Sequence, residues 1–348
     1  MPFSHHGFEI RILSKNLPKI ASDMLLNFPQ WTKRVVIKGV GRDPLGLSRV
    51  SDKVTDFLLP AIITTTNRAR YYSFYPWCFW HILETEQPKK AGDFIESFKR
   101  REAAFALSST IGESATTVVG SDQCQKYLTA AEASGEVNTD FQVLPSNQYG
   151  GYGQYYEGSL LKLNLTSYDE NGFNFAAEGR GEKLAKLFQR SVEACDYIQH
   201  ERFKEKSFEL DELKSSLSVF GLDSITEDIC EEERRTLIEM FFSLSSEDES
   251  ASPFIRRQSL GQCLHLLKEY EHRGLEVPQG NVDFPLIICP HYYGLLSTDS
   301  GNQIQYESPP AFELAHGMWR QWSLHQFTVL AFEKLLLATL DALAPSRG

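Results

Sequence analysis

The sequence lacks the short motifs by which many enzyme classes are recognised. It contains no G-x-x-x-x-G-K-[ST] phosphate loop, no H-E-x-x-H zinc motif and no G-x-S-x-G nucleophile elbow. A glycine-rich stretch at residues 39–46 follows a short β-branched run at 35–37, but no Lys-Ser or Lys-Thr pair comes after Gly46. We therefore interpret this stretch as a connector, and no motif indicates a reaction.

Closely spaced cysteines are also absent. The six cysteines are scattered and form no C-x-x-C pair, which disfavours a zinc ribbon or a thioredoxin-like redox site. We expect Cys78 and Cys263 to be buried thiols, and a reduced cytoplasmic compartment fits this usage. A lone histidine in an aromatic loop, His291, is interpreted as structural, so we predict neither a metal site nor a cofactor.

Long apolar runs and positive charge are both scarce. The N-terminus shows no signal-peptide pattern, and the most apolar run, 327–343, is interrupted by Glu333, Lys334 and Asp341 and is shorter than the roughly 20 residues of a membrane span. We predict a soluble protein without membrane attachment. The net charge of −11 disfavours a general nucleic-acid coat protein, but it allows a local basic patch or a basic protein partner.

An aromatic stretch, Leu59–Ile82, is the dominant feature that the sequence does contain. We predict a buried helix that starts at one of the threonines Thr64–Thr66 and kinks or breaks at Pro76. Arg68 and Arg70 precede the aromatics. They either bind an anion beside rings that can stack on bases, or pair with carboxylates and carbonyls inside the core. We favour the structural role, and the anion role stays open.

Hydrophobic spacing predicts a mainly α protein with minor β structure and a multi-helix core. We expect an N-terminal helical region with the Arg-aromatic core helix (1–118), a winged-helix-like middle (119–200), and a C-terminal helical region (201–348) that packs back on the first. Residues 311–343 are apolar on nearly every face and are predicted to form a core helix. Residues 284–289 form an apolar run that could be a buried strand.

A further helix is predicted from Asp93 to about Thr110. One face carries phenylalanine, isoleucine, alanine and leucine side chains. The opposite face is charged and holds Lys99, Arg100, Arg101 and Glu102.

The pattern of residues 152–199 predicts a helix, a short hairpin with Asn171-Gly172 at its tip, and a second helix. This order resembles the second half of a winged-helix domain, in which a helix enters the major groove and the wing touches phosphates. The candidate nucleic-acid contacts are Lys162, Arg180, Lys183, Lys186 and Arg190. Asp169 and Glu170 in the wing have the wrong charge for this role, and a packing or protein-binding module is the alternative.

If the protein is an enzyme, Arg320 and His325 are the best candidates for a catalytic pair. Their spacing resembles the R-x4-6-H motif of HEPN-type ribonucleases, in which a histidine and an arginine act on a cyclising phosphate. Trp319 and Trp322 beside them favour core or helix-pairing residues instead.

Residues 42–82 carry a family resemblance. The matching elements are Asp43-Pro44-Leu45-Gly46, Ser48, Leu58-Leu59-Pro60, Thr66-Asn67-Arg68-Ala69-Arg70-Tyr71 and Tyr75-Pro76-Trp77. The stretch resembles uncharacterised bacterial proteins with an L-x-P-G…T-x-R-A-R-Y…F-x-P-W signature, associated with phage-defence gene neighbourhoods. Ala61 stands where that signature has glycine. The resemblance implies an antiviral context and no particular chemistry.

These observations predict a non-enzymatic subunit of a bacterial antiviral defence complex. It would bind a protein partner in a hetero-complex and possibly DNA. The alternative is an effector ribonuclease that uses Arg320 and His325.

Overall fold

A computed structural model of the chain describes residues 46–63, 65–112, 118–170, 172–242, 251–278, 283–298 and 303–343. The predicted β-branched run at 35–37 and the glycine-rich stretch up to residue 45 lie outside the described residues. The same is true of Asp43-Pro44-Leu45 in the resembling stretch, of Thr64, and of Asn171 at the hairpin tip.

The fold is mainly α-helical with a small β content, as predicted. The chain forms two compact units: a central unit, Pro60–Leu244, and a terminal unit that combines Met1–Leu59 with Ser245–Gly348. The boundaries that we predicted at 118/119 and 200/201 both lie inside the central unit. Hydrophobic spacing locates helices, but it does not show which distant helices share a core.

In chain order, the helices are α1 (Ser48–Leu58), α2 (Tyr71–Thr85), α3 (Ala91–Ile111), α4 (Ser121–Ser134), α5 (Glu157–Lys162), α6 (Arg180–Val192), α7 (Asp196–Gln199), α8 (Leu210–Ser215), α9 (Leu217–Phe220), α10 (Glu231–Phe242), α11 (Ala251–His272) and α12 (Glu313–Leu343). The strands are β1 (Glu136–Asn138), β2 (Thr166–Tyr168), β3 (Asn174–Ala176), β4 (Ser207–Glu209), β5 (Leu295–Ser297) and β6 (Gln303–Gln305). Tyr152–Tyr156 and Asp283–Tyr293 are π-helical, and short 3-10 turns occur at Arg202–Lys204, Asp223–Thr226, Asp228–Cys230 and Pro310–Phe312.

Helix α2 lies at the centre of the central unit, and every side chain from Tyr71 to Phe79 is buried. The helix continues through Pro76 without a break. Proline removes only the backbone bond to the carbonyl of Tyr72, at a cost of about 3 kcal/mol. Burial of several aromatic side chains, at about 1.5–3 kcal/mol each, outweighs that loss.

The predicted threonine cap of α2 is wrong. The helix begins after Arg70, and no side-chain cap hydrogen bond is present there. Instead, the hydroxyl of Thr66 accepts a hydrogen bond from the backbone N–H of Ile63 and also contacts the carbonyl of that residue. Thr66 therefore closes the turn before the helix.

Aromatic rings join α2 to its neighbours. The rings of Phe74 and Phe105 stack with centroids 3.9 Å apart, which connects α2 to α3. The ring of Trp77 lies 4.8 Å from that of Phe188 in α6. Such pairs add about 0.5–1.5 kcal/mol beyond the burial of their area, so the aromatic stretch holds three helices together.

The strands of the central unit form two antiparallel pairs, β1 with β4 and β2 with β3. The second pair is the predicted hairpin, in register from Thr166 opposite Ala176 to Tyr168 opposite Asn174. Gly172 at its tip has φ +80°, a conformation that glycine adopts without steric cost. The π-helical turn and α5 precede the hairpin, and α6 follows it.

In the terminal unit, α12 packs against α1, α11 and the π-helical segment Asp283–Tyr293. The core of this packing consists of Leu58, Ile255, Ala315, Met318 and Trp319. A smaller core, formed by Leu266, Tyr270, Leu296 and Tyr306, lies where α11 meets the antiparallel pair β5–β6. The C-terminal helices thus pack on α1, whereas α2, which we had placed in the same N-terminal region, belongs to the central unit.

Three predictions for the terminal unit are wrong. Residues 284–289 lie in a π-helix and not in a strand. Cys263 is exposed, whereas Cys78 in the central unit is buried as predicted. Helix α12 buries Ala315, Met318, Trp319 and Ser323, but most of its later side chains are exposed.

No helix in the described part of the chain is long and apolar enough to cross a membrane.

Candidate functional site

Arg70 is directed into the core of the central unit. One terminal nitrogen of its guanidinium donates to the carbonyl of Val219 at 2.6 Å, and the other donates to the carbonyl of Gly221. Its Nε lies 3.5 Å from Oε1 of Glu233. These are protein partners, so the geometry supports the structural role for Arg70. Arg68 is half-buried and also interacts with the protein.

Three of the predicted nucleic-acid contacts, Lys183, Lys186 and Arg190, lie on one face of α6. They line a shallow depression of about 320 Å³ together with Gly179, Glu182, Leu187 and Glu232. Nζ of Lys186 is 2.9 Å from Oε2 of Glu182, and Nη1 of Arg190 is 3.2 Å from Oε2 of Glu232. Two carboxylates therefore offset two of the three cations, and this face has little net attraction for phosphates.

The other two predicted contacts lie outside that depression. Lys162, at the end of α5, is exposed, and Arg180, at the start of α6, is half-buried. Asp169 and Glu170 are exposed beside the hairpin tip, where a wing would meet the DNA backbone. The hairpin thus presents negative charge at the position where phosphate contact requires positive charge.

Arg320 and His325 both lie in α12, but on different sides of it. Five residues in an α-helix correspond to a rotation of about 140° between the two side chains. Arg320 is exposed, whereas His325 is half-buried and its Nε2 lies 3.1 Å from the carbonyl oxygen of Leu47. Within one chain, the helix does not bring the two groups together for phosphate chemistry.

The most unusual surface in the described residues is the end of α12, Val329–Leu343, here termed the C-terminal apolar segment. Six of its large side chains are about half exposed or more: Leu330 51%, Phe332 50%, Leu335 62%, Leu337 52%, Leu340 54% and Leu343 74%. Val329 and Leu336 are half-buried. Glu333, Lys334 and Asp341 are its charged residues. From this composition we had predicted burial, since a helix that is apolar all round is normally covered.

The apolar side chains of this segment surround the helix. At about 100° of rotation per residue, Leu335, Phe332, Leu343 and Leu340 follow one another around one side of the helix, and Leu330 and Leu337 lie on the other. The charged residues Glu333, Lys334 and Asp341 share the side of Leu330 and Leu337, so the segment has no side free of exposed leucine to turn to water. Such a surface is typical of a helix that another protein covers.

A buried carboxyl group, Glu102, was missed by sequence analysis. Its Oε1 accepts hydrogen bonds from the hydroxyl of Tyr75 at 3.0 Å and from the backbone N–H of Gly151 at 2.9 Å. Burial raises the pKa of Glu102 to about 7, and these hydrogen bonds act in the opposite direction. A carboxyl that titrates near neutrality is common in active sites, but Glu102 is only 3% exposed.

A second buried network surrounds His81. Its Nδ1 accepts from Nε of Arg101 at 3.1 Å, and Nη1 of Arg101 is 2.6 Å from Oε1 of Glu86. Burial, together with the positive charge of Arg101, lowers the pKa of His81 to about 3. The imidazole is thus a neutral acceptor that orients the guanidinium, which also lies 4.5 Å above the ring of Phe203.

Both networks were missed because we assigned Arg101 and Glu102 to a charged face of the helix. The available signal was the run Ala103-Ala104-Phe105-Ala106-Leu107, which directly follows them and leaves little room for a solvated face. Every residue from 101 to 110 is in fact buried.

Comparison of the chain with protein-family models, curated proteins and solved structures gave no match.

Proposed function

We propose that this chain is a non-enzymatic subunit of a protein complex and binds its partner through the C-terminal apolar segment. The partner is a different protein with an apolar groove that receives the helix. One observation carries this proposal: Val329–Leu343 continues α12 as an exposed helix that is apolar on all sides. Burial of an apolar helix in a groove is a common mode of protein recognition.

The energetics favour a groove over a flat contact. Full burial of a leucine or phenylalanine side chain contributes about 1.5–3 kcal/mol, and association costs about 4–15 kcal/mol in lost freedom. Leu330 and Leu337 are already about half buried, so covering them alone contributes only about 1.5–3 kcal/mol, which is below that cost. Covering the exposed parts of all six large side chains contributes roughly 5–10 kcal/mol, so stable binding requires a partner that covers several sides.

The same geometry argues against a second copy as the occupant. Another copy of this helix laid alongside would cover one side and leave the remaining apolar sides in water. The segment also has near-balanced charge, with Glu333 and Asp341 against Lys334, so it makes no strong demand on the charge of its partner. A groove-forming partner protein satisfies both conditions.

The resemblance of residues 42–82 provides the setting of this proposal, an antiviral defence complex in the bacterial cytoplasm. The ion pairs on α6 and the separation of Arg320 from His325 support binding to protein over binding to DNA or RNA cleavage. The setting is tested by phage challenge of bacteria that produce the complex. We expect protection to be lost when the apolar segment is altered.

The direct test compares two double variants with the parent chain. Leu335→Glu with Leu340→Glu puts charge on two sides of the segment. Gln321→Glu with Thr328→Glu adds the same charge at exposed positions of α12 before the segment. Each tagged chain is purified from the native host, and the retained protein is identified and then reconstituted from pure components, with the complex mass measured by light scattering.

We expect a defined hetero-complex with the parent and with the Gln321/Thr328 control, and none with the Leu335/Leu340 variant. Crosslinks from the partner should map to 329–343. A parent that purifies as a homodimer and becomes monomeric in the Leu335/Leu340 variant would identify a second copy as the occupant. A reconstituted complex that tolerates both glutamates would also overturn the proposal.

A further inference from the structure

Two histidines from separate elements of the terminal unit face each other. His291 belongs to the π-helical segment Asp283–Tyr293 and is buried, whereas His316 lies in the first turns of α12 and is half-buried. Their Nδ1 atoms are 3.1 Å apart, and their rings are tilted by 59°. The two nitrogens therefore approach each other without stacking of the rings.

This separation suits two ligands of one metal ion. Zinc binds histidine nitrogen at about 2.0–2.1 Å, so two nitrogens on one ion lie about 2.9–3.4 Å apart for angles between square and tetrahedral. Burial lowers the pKa of His291 to about 3, with His316 adding to the effect. Burial and the charge of Arg320 also lower the pKa of His316. The proposal rests on the 3.1 Å separation of the two nitrogens, because metals bind imidazole through an unprotonated ring nitrogen.

A third polar group lies beside the pair. Gln262 of α11 is fully buried, and its Nε2 is 3.5 Å from Nδ1 of His291 and 3.0 Å from the hydroxyl of Ser308. Its Oε1 is buried and receives no hydrogen bond from the described residues. Rotating the amide by 180° exchanges its oxygen and nitrogen. The oxygen would then face His291 and accept from Ser308.

We propose that His291, His316 and the amide oxygen of Gln262 form a binding site for a divalent transition-metal ion of the zinc class. The three groups come from the π-helical segment, α12 and α11. A bound ion would fix these elements to one another at the base of α12. From the sequence we predicted no metal site and interpreted His291 as structural; residues 262, 291 and 316 follow no ligand-spacing motif.

The composition of the site limits which ions fit and how tightly they bind. Among the described residues, no three His, Cys, Asp or Glu side chains form a ligand cluster, so water molecules complete the coordination. Imidazole ligands favour Zn²⁺, Ni²⁺ and Cu²⁺ over Mg²⁺ and Ca²⁺. The guanidinium of Arg320 opposes a dication at His316, and Arg320→Ala is therefore expected to tighten binding.

The test uses the full chain with His5→Ala and His6→Ala in every sample, since this adjacent pair could itself bind metal. Zn²⁺ and Ni²⁺ are titrated by calorimetry into metal-free protein, and Co²⁺ absorption reports the coordination geometry. The variants are His316→Ala, His291→Ala, Gln262→Leu and Arg320→Ala, with His272→Ala as a histidine control at an exposed position of α11. Thermal unfolding without metal verifies that each variant folds.

We expect one ion per chain, binding at least about tenfold weaker in His316→Ala and His291→Ala, weaker in Gln262→Leu, tighter in Arg320→Ala and unchanged in His272→Ala. If His291→Ala fails to fold, the half-buried His316 still provides the test. Equal binding by the parent and His316→Ala means an adventitious ion only. In that case the 3.1 Å contact is a hydrogen bond between neutral imidazoles, and the proposal is overturned.

Discussion

Nε of Arg70 lies 3.5 Å from Oε1 of Glu233, and both side chains are almost completely withdrawn from solvent. Glu233 also accepts a hydrogen bond from the hydroxyl of Ser73. The pair connects the start of α2 to α10 across the core of the central unit. The sequence left open whether Arg70 binds an anion or pairs inside the core. The contact with Glu233 supports pairing inside the core.

Removal of one partner from this pair should be costly. Glu233→Ala leaves the Arg70 charge buried without its counter-charge, and we expect a loss of about 3–5 kcal/mol in the free energy of unfolding. Glu232→Ala, one residue earlier, breaks the exposed contact with Arg190 and should cost about 0–1 kcal/mol. Urea unfolding of both variants measures the contrast, and equal losses would contradict the structural role of Arg70.

Glu102 should make the protein less stable as the pH rises through the acidic range. Its folded pKa is about 7, whereas an unfolded glutamate titrates near pH 4.3. Between these values the unfolded state releases its proton first, so stability falls as the pH rises and then levels off above pH 7. Glu102→Gln keeps an oxygen acceptor for Tyr75 and Gly151 but does not ionise.

We therefore expect Glu102→Gln to gain stability relative to the parent at pH 8, by up to about 3 kcal/mol, and to gain much less at pH 5. Unfolding free energies at the two pH values test this. Glu96→Gln, at an exposed position of the same helix, is the control. If the unfolding free energies of Glu102→Gln and the parent differ by the same amount at both pH values, Glu102 does not have the raised pKa described above.

His81 should have the opposite dependence on pH. Its folded pKa of about 3 is below the unfolded value of about 6.5. Protons therefore bind the unfolded state preferentially, and stability is lost as the pH falls from 6.5 towards 3. In His81→Asn the amide oxygen can still accept from Arg101 and does not titrate. On going from pH 7.5 to pH 5, we expect the unfolding free energy of this variant to rise relative to that of the parent. The unfolding free energy of His272→Asn should show no such change, and urea unfolding at the two pH values measures both.

Two helical glycines beside the hairpin should respond in opposite directions to alanine. A Cβ at Gly181 would lie 2.2 Å from the carbonyl oxygen of Leu165, whereas one at Gly158 would meet nothing within 4 Å. Gly181→Ala should lose about 1–3 kcal/mol of stability through overpacking, and Gly158→Ala should gain about 0.5–1 kcal/mol from reduced chain entropy. Thermal unfolding measures both. A harmless Gly181→Ala would show that α6 does not pack closely on Leu165.

The sequence allowed prediction of the central helix but not of its exact start or of its polar partners. Leu59–Ile82 is so rich in aromatics that burial was the only stable outcome. The partners of Arg70, by contrast, come from residues 219–233, and no local pattern reports a contact over 150 residues of sequence. The carbonyls of Val219 and Gly221 are available as partners only because α9 ends beside α6.

The sites of the terminal unit were harder to predict for two physical reasons. The apolar composition of Val329–Leu343 predicts a buried helix, and nothing in the composition indicates that this segment is exposed. The His291–His316 contact joins a π-helical segment to α12, and π-helices of 11 residues are too rare to be expected from periodicity.

The discontinuous terminal unit has a consequence for how the protein is made. Helix α1 packs on α11 and α12, which are separated from it in sequence by the entire central unit. At a synthesis rate of about 5–20 residues per second, the roughly 190 residues between α1 and α11 take about 10–40 s to emerge. The central unit has time to fold first. During that interval the apolar side of α1, with Leu58, is made but lacks the neighbours that cover it in the folded chain.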